Sequence, residues 1–105
     1  MNINIRAVGM ELTPAIKTYV EDKLSGLEKF VEGVLNMDVD LGLDTHHHNK
    51  GEIYSCSLVI QMPKEVLKIE KTEKNLYKAI DKVKDHARES MVKTKEKKRD
   101  EKRKG

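Results

Sequence analysis

The chain is poor in the residues that build covalent staples and stacking platforms. It has one cysteine, Cys56, so an internal disulfide and a cysteine-rich zinc site are both excluded, and a reducing, cytoplasmic setting is expected. Tryptophan is absent and the only aromatics are Tyr19, Phe30, Tyr54 and Tyr77. Recognition of single-stranded nucleic acid through stacked bases therefore lacks its main contact residues. No run approaches the roughly 18 consecutive apolar residues of a membrane span. The start, Met-Asn-Ile-Asn-Ile-Arg, lacks the basic-then-apolar layout of a signal peptide. A soluble, unexported protein with no membrane partner is expected. P-loop, GxGxxG and GxSxG patterns are missing, as is any pair of acids whose spacing specifies hydrolysis. No catalytic residue and no cofactor is assigned, and the chain is not expected to be an enzyme.

What is present is charge, unevenly placed. A length of 105 residues suits one domain with one core. Apolar and charged residues each make up 37%, so folding requires the apolar positions to be gathered on element faces. Residues 1–71 carry 8 Lys+Arg against 11 Asp+Glu, a net of −3, whereas residues 72–105 carry 13 against 7, a net of +6. A basic final third on a mildly acidic body points toward a polyanion, of which nucleic acid is the commonest in that compartment. The bland alternative is a lysine-rich helix end kept soluble by its charge.

Periodicity supplies the elements. Ile3, Ile5 and Ala7 alternate with Asn2, Asn4 and Arg6, predicting a strand over 2–8. Thr13-Pro14 supplies a hydroxyl cap and a proline at the first helical position. Ile16, Val20, Leu24, Leu27, Val31 and Val34 then recur at steps of three or four, predicting an amphipathic helix that ends near Gly33. Met37, Val39, Leu41 and Leu43 alternate with polar residues, among them Asp38, Asp40 and Asp44, in a second strand, and the polar stretch 45–51 is a connection. Tyr54, Cys56, Leu58, Ile60 and Met62 form one face of a third strand that Pro63 ends. Leu67 and Ile69 mark a fourth over 66–71. Thr72 is placed as the cap of a last helix, with Glu73 in its first turn and Leu76, Ile80, Val83, Ala87 and Met91 as its core stripe. The order β-α-β-β-β-α predicts a single α+β domain over 1–95: a four-stranded sheet with two helices on one face, the first two strands parallel and strands two to four a meander. Residues 96–105 hold no apolar side chain and are assigned to a basic, disordered tail or frayed helix end.

Three features are candidates for chemistry. His46-His47-His48 suggest metal, with Asp38, Asp40 and Asp44 as possible helpers. Consecutive residues on an extended segment point in alternating directions, however, and no ligand spacing of a known zinc motif accompanies them, so no metal site is assigned. The aspartates are instead expected to guard an exposed sheet face against pairing with other chains. Cys56 falls among core-facing positions and reads as a buried, inert thiol. The last helix is different: at about 100° per residue, Lys78, Lys82, Glu89 and Lys93 lie opposite its core stripe while Lys84, Arg88 and Lys95 follow one flank. Cations so spaced reach successive phosphates and release counterions without reading base identity.

Met10-Glu11-Leu12-Thr13-Pro14-Ala15-Ile16, then Val20-Glu21-Asp22-Lys23-Leu24 and Leu27-Glu28-Lys29-Phe30, resemble the first helix of the ribosome hibernation promoting factors, the family that includes the short ribosome-associated inhibitors. Asn75-Leu76-Tyr77-Lys78-Ala79-Ile80-Asp81 resembles the start of that family's second helix. The resemblance covers about residues 1–95 and implies the same fold. It further implies a partner, the small ribosomal subunit, bound through rRNA in the channel of the mRNA and of the A- and P-site tRNAs, so that translation is silenced by competition and without catalysis. Basic residues of the two helices make the family's contacts, which makes Lys17, Lys23, Lys29, His86 and Lys93 candidates; charge and helical geometry add Lys78, Lys82, Lys84, Arg88 and Lys95. The chain departs from the family at Gly26, where a basic residue is common, and at His86-Ala87-Arg88-Glu89-Ser90-Met91, where Lys-Leu-x-Arg-Gln-Leu is frequent. It stops before the dimerisation domain of the long members, so self-driven ribosome pairing is not assumed. A monomer off the ribosome is expected. Two other readings remain: a general binder of structured RNA acting off the ribosome, and a small metal-dependent enzyme built on the histidine run.

Overall fold

The computed structural model describes residues 2–30, 33–47 and 51–104, with side chains described to residue 44 of the second segment and to residue 93 of the third. β1 (Asn2–Val8) leads to α1 (Pro14–Ser25) and a 3-10 segment (Gly26–Phe30). β2 (Asn36–His47), β3 (Gly51–Gln61) and β4 (Val66–Glu73) follow, and α2 (Leu76–Lys104) ends the chain's described part. The sheet order is β1-β2-β3-β4, with β1 parallel to β2 and the other pairs antiparallel, the expected α+β architecture.

Register explains the single core. Ile5 stands opposite Val39, Val39 opposite Leu58, and Leu58 opposite Ile69. The alternating apolar positions of all four strands therefore fall on one face, the only arrangement in which a period of two buries them together. Both helices cover that face: Val20, Leu24, Leu27, Leu76, Ile80, Val83, Ala87 and Met91 are buried in one cluster with Met37, Val39, Leu41, Cys56, Leu58 and Ile60. A fully buried leucine in such a cluster contributes about 1.5–3 kcal/mol relative to exposure. Gly9, at φ +74°, turns the chain out of β1 toward α1, and a Cβ there would lie 2.7 Å from the Leu43 carbonyl oxygen.

Four boundaries differ from the sequence expectation. α1 stops at Ser25, not near Gly33, because Gly26 removes helix propensity and the chain tightens into the 3-10 segment. With three residues per turn, Leu27 and Phe30 share an edge, so Phe30 packs against the core at a position the α-helical stripe did not include; Val31, which that stripe did include, lies outside the described residues. Thr45–His47 belong to β2 rather than to a loop, since β3 pairs as far as His47 opposite Gly51, across a register shift after Asp44. Thr72 and Glu73 do not open α2: they are consumed in the β4 ladder opposite Ser55 and Tyr54. The cap is Asn75, whose Oδ1 accepts from the Lys78 N–H at 3.2 Å. Finally, the α2 backbone continues to Lys104 with no break at residue 95, as the high helix propensity of lysine, arginine and glutamate allows. Among the described residues no helix is long and apolar enough to cross a membrane.

Candidate nucleic-acid interface

One group of charged side chains lies where the two helices meet. Residues at steps of four, three and four along α2, namely Tyr77, Asp81, Lys84 and Arg88, lie on the flank that faces α1 and the 3-10 segment. Tyr19 of α1 donates its hydroxyl to Asp81 Oδ1 at 2.7 Å, and Lys23 Nζ stands 3.7 Å from the same oxygen and 5.4 Å from the centre of the Tyr19 ring. The bond to Asp81, helped by burial and by the carboxylate's charge, pushes the Tyr19 hydroxyl up to about 12. Tyr77 meets Tyr19 edge to face, centroids 4.7 Å apart at 82°. Farther along, Phe30 carries a cation on either side in sequence: Lys29 Nζ at 5.3 Å and the Arg88 guanidinium at 5.7 Å from the ring centre. The seam thus gathers Lys23, Lys29 and Arg88 from α1, the 3-10 segment and α2, and helical spacing puts Lys84 on the same flank.

The other predicted cations are distributed elsewhere. Lys78, Lys82, His86 and Lys93 follow a second stripe of α2, and Lys82 is held by an ion pair to Glu73, so this stripe overhangs the edge strand β4. The hydrogen bond from Lys82 keeps the Glu73 carboxyl below its ordinary range. Lys17 and Lys23 are six residues apart, about 120° around α1, which puts Lys17 on the flank away from the seam. Lys17, Lys78, Lys82, His86 and Lys93 are all exposed. The side chain of Lys95 lies outside the described residues.

Sequence reasoning missed Asp81, whose carboxylate faces Lys23 across the seam, and Phe30 as the support of Arg88. The spacing of Tyr77 to Asp81 and of Tyr19 to Lys23, four residues each, marked two same-face pairs; that the pairs oppose one another across a seam is tertiary information.

The opposite face of the sheet has a different character. Arg6 donates to Asp40 at 2.8 Å, and Asn4 and Asn36 donate to Asp38 at 3.0 and 3.1 Å. The bond to Asp40 raises Arg6 further still from its ordinary value. These aspartates spend their lone pairs on neighbours within the β1–β2 pair and its start. Among the described residues no group of three or more His, Cys, Asp or Glu is placed to hold a metal ion; the side chains of His46, His47 and His48 lie outside that description. Cys56 is buried, which pushes its thiol up to about 12 and removes the thiolate a nucleophile needs.

Comparison with known proteins adds a lineage to this geometry. Residues 3–99 match the family described as Sigma 54 modulation protein / S30EA ribosomal protein. The chain belongs to that family. As an S30EA-family member it is 32% identical over 81 residues to the ribosome hibernation promotion factor of Bacillus subtilis (strain 168), an alignment covering 77% of this chain and 41% of the relative. The chain thus spans about two fifths of that curated relative's length. Among solved structures it resembles the N-terminal domain of Thermus thermophilus Protein Y, with a TM-score of 0.78 at 27% identity over 90% of this chain and 99% of that one. A ribosomal subunit interface protein from Coxiella burnetii shares the fold, with a TM-score of 0.75 at 15% identity over 90% and 98% of the two chains. The S30EA fold, its strand order and its two-helix layer agree with the expectation drawn from the helix segments at 10–30 and 75–81.

Proposed function

We propose that the protein is a cytoplasmic ribosome hibernation factor that lays its helix layer on the rRNA of the small subunit, in the passage used by mRNA and by the A- and P-site tRNAs, and silences translation in stationary phase or stress by occupying it. When free of the ribosome it is a monomer, and it performs no chemistry. The observation that carries this reading is the convergence of Lys23, Lys29 and Arg88 from α1, the 3-10 segment and α2 on one seam, with Lys84 on the same flank of α2 by helical spacing, in a chain of the S30EA family. Folded RNA presents phosphates at fixed separations, and cations held by a rigid two-helix layer match such an array better than a flexible tail does, because less freedom is lost on binding. The second stripe, Lys78, Lys82, His86 and Lys93, together with Lys17 and Lys95, gives additional phosphate contacts at the margins.

Sedimentation tests it. Purified protein is expected to travel with vacant small subunits in a sucrose gradient and to be displaced by mRNA and tRNA added together; in lysates it shifts to ribosomal fractions as cells leave growth. Coating of both subunits and of free RNA duplexes, without competition by tRNA, would support the general RNA binder instead.

A further inference from the structure

Among the described residues Tyr77 is the only aromatic side chain in the set of large exposed hydrophobics, with 41% of its surface accessible. It is also held in place. Tyr19 packs against it edge to face, and Tyr19 is itself anchored by its hydroxyl on Asp81 and covered by Lys23. An exposed ring with a rigid support costs little entropy to use, and stacking of a base on it is indifferent to sequence because every base has a π-face. Lys78 follows it directly, and Lys84 and Arg88 lie two and three turns farther along the same flank. A nucleotide over Tyr77 would therefore have its neighbouring phosphates in cationic surroundings.

We propose that Tyr77, buttressed by Tyr19, is a stacking site for one unpaired nucleobase of the bound RNA. This rests on the RNA-binding reading above and deepens it: charge supplies most of the affinity, and one ring selects places where a base is out of its helix. It stands beside the expectation that a stacking platform lacks its main contact residues. One exposed and braced ring is sufficient for one base.

The test compares Tyr77→Leu, Tyr77→Phe and Tyr77→Trp with the parent for binding to vacant small ribosomal subunits at several salt concentrations. Stacking predicts that Phe and Trp bind within about twofold of the parent, while Leu weakens binding by about 5-fold or more at every salt concentration. The slope of affinity against salt stays unchanged, since no phosphate contact is lost. Tyr77→Trp creates the chain's sole tryptophan, so its emission reports on the site directly, and titration with single-stranded oligoadenylate at low salt is expected to quench it. Leu binding small subunits as tightly as the parent overturns the proposal, as does oligoadenylate binding without quenching. Thermal melting of each variant separates loss of stacking from loss of fold: a Leu variant that binds poorly only because it melts early, while the folded Trp variant shows no quenching, also overturns it. Failure of the parent itself to bind small subunits brings down the ribosome reading, and the oligoadenylate arm still decides the stacking site.

Discussion

On the open face of the sheet, Arg6 reaches Asp40 across two paired strands, and Asn4 and Asn36 converge on Asp38. On the seam between the helices one carboxylate, Asp81, faces Lys23 and the Tyr19 hydroxyl, while Lys29 and Arg88 rest on the Phe30 ring and have no carboxylate partner among the described residues. Both regions are charged, yet one satisfies itself and the other does not. A surface whose charges are consumed by neighbours has little left to offer a polyanion. One whose cations lean on aromatic rings keeps its net charge and loses only conformational freedom.

The sharpest way to break this contrast is with salt. Raising it from about 50 to 200 mM should weaken binding to small subunits by about 10³–10⁵ if six to ten phosphates are engaged, as read by filter binding; salt-insensitive binding removes the electrostatic basis of the reading. Paired reversal of Lys29 and Arg88 to glutamate should flatten that salt slope by roughly two contacts' worth, whereas exchanging Arg6 and Asp40 for one another should leave both affinity and slope where they were. An equal effect of the two exchanges would show that the faces do not differ as described.

Smaller effects probe the scaffold beneath. Leu58→Ala, at the centre of the shared core, should cost about 2–5 kcal/mol of unfolding free energy in urea titrations. Asn75→Ala should cost about 1 kcal/mol, since it removes the α2 cap, and Thr72→Ala should stay within about 0.5 kcal/mol; the reverse ranking would return the helix start to Thr72. The last prediction is confined to alkaline solution. Tyr19 and Cys56 both have hydroxyl or thiol groups pushed up to about 12 in the folded chain from ordinary values of 10.0 and 9.0. The folded state holds these protons more tightly than the unfolded one, so their contribution is complete below about pH 9 and declines as pH rises toward 12. Melting temperatures should fall across that window, and Cys56→Ala should remove the part of the fall that begins near pH 9, whereas Tyr19→Phe removes the part that begins near 10.

Much of the fold was legible along the chain because its signals are local. Alternation at Ile3, Ile5 and Ala7, and steps of three and four from Leu76 to Met91, depend on backbone geometry alone and were found where expected. Boundaries were less legible. Whether Thr72 caps a helix or extends a strand depends on whether β3 is there to pair with it, and Gly26 could be read as a tolerated glycine until the chain beyond it tightened into a 3-10 turn. The candidate site followed the same division. Its cations were visible as residues, but Lys17 and Lys23 look alike in sequence and sit on different flanks of α1, and nothing near Phe30 announced that Arg88, 58 residues later, would stack on it.

Sequence alone determined the alternation of elements, the apolar stripe of each and the excess of positive charge in the final third, since each of these follows from residue type and periodicity within a few turns of chain. Tertiary structure decided which cations stand together, which lie beside Glu73 or Asp81, and which aromatic rings are braced yet accessible. The reason is range: a helix or strand is set by neighbours in sequence, whereas the Tyr19–Asp81 and Phe30–Arg88 contacts exist only after both helices have docked on the same face of the sheet.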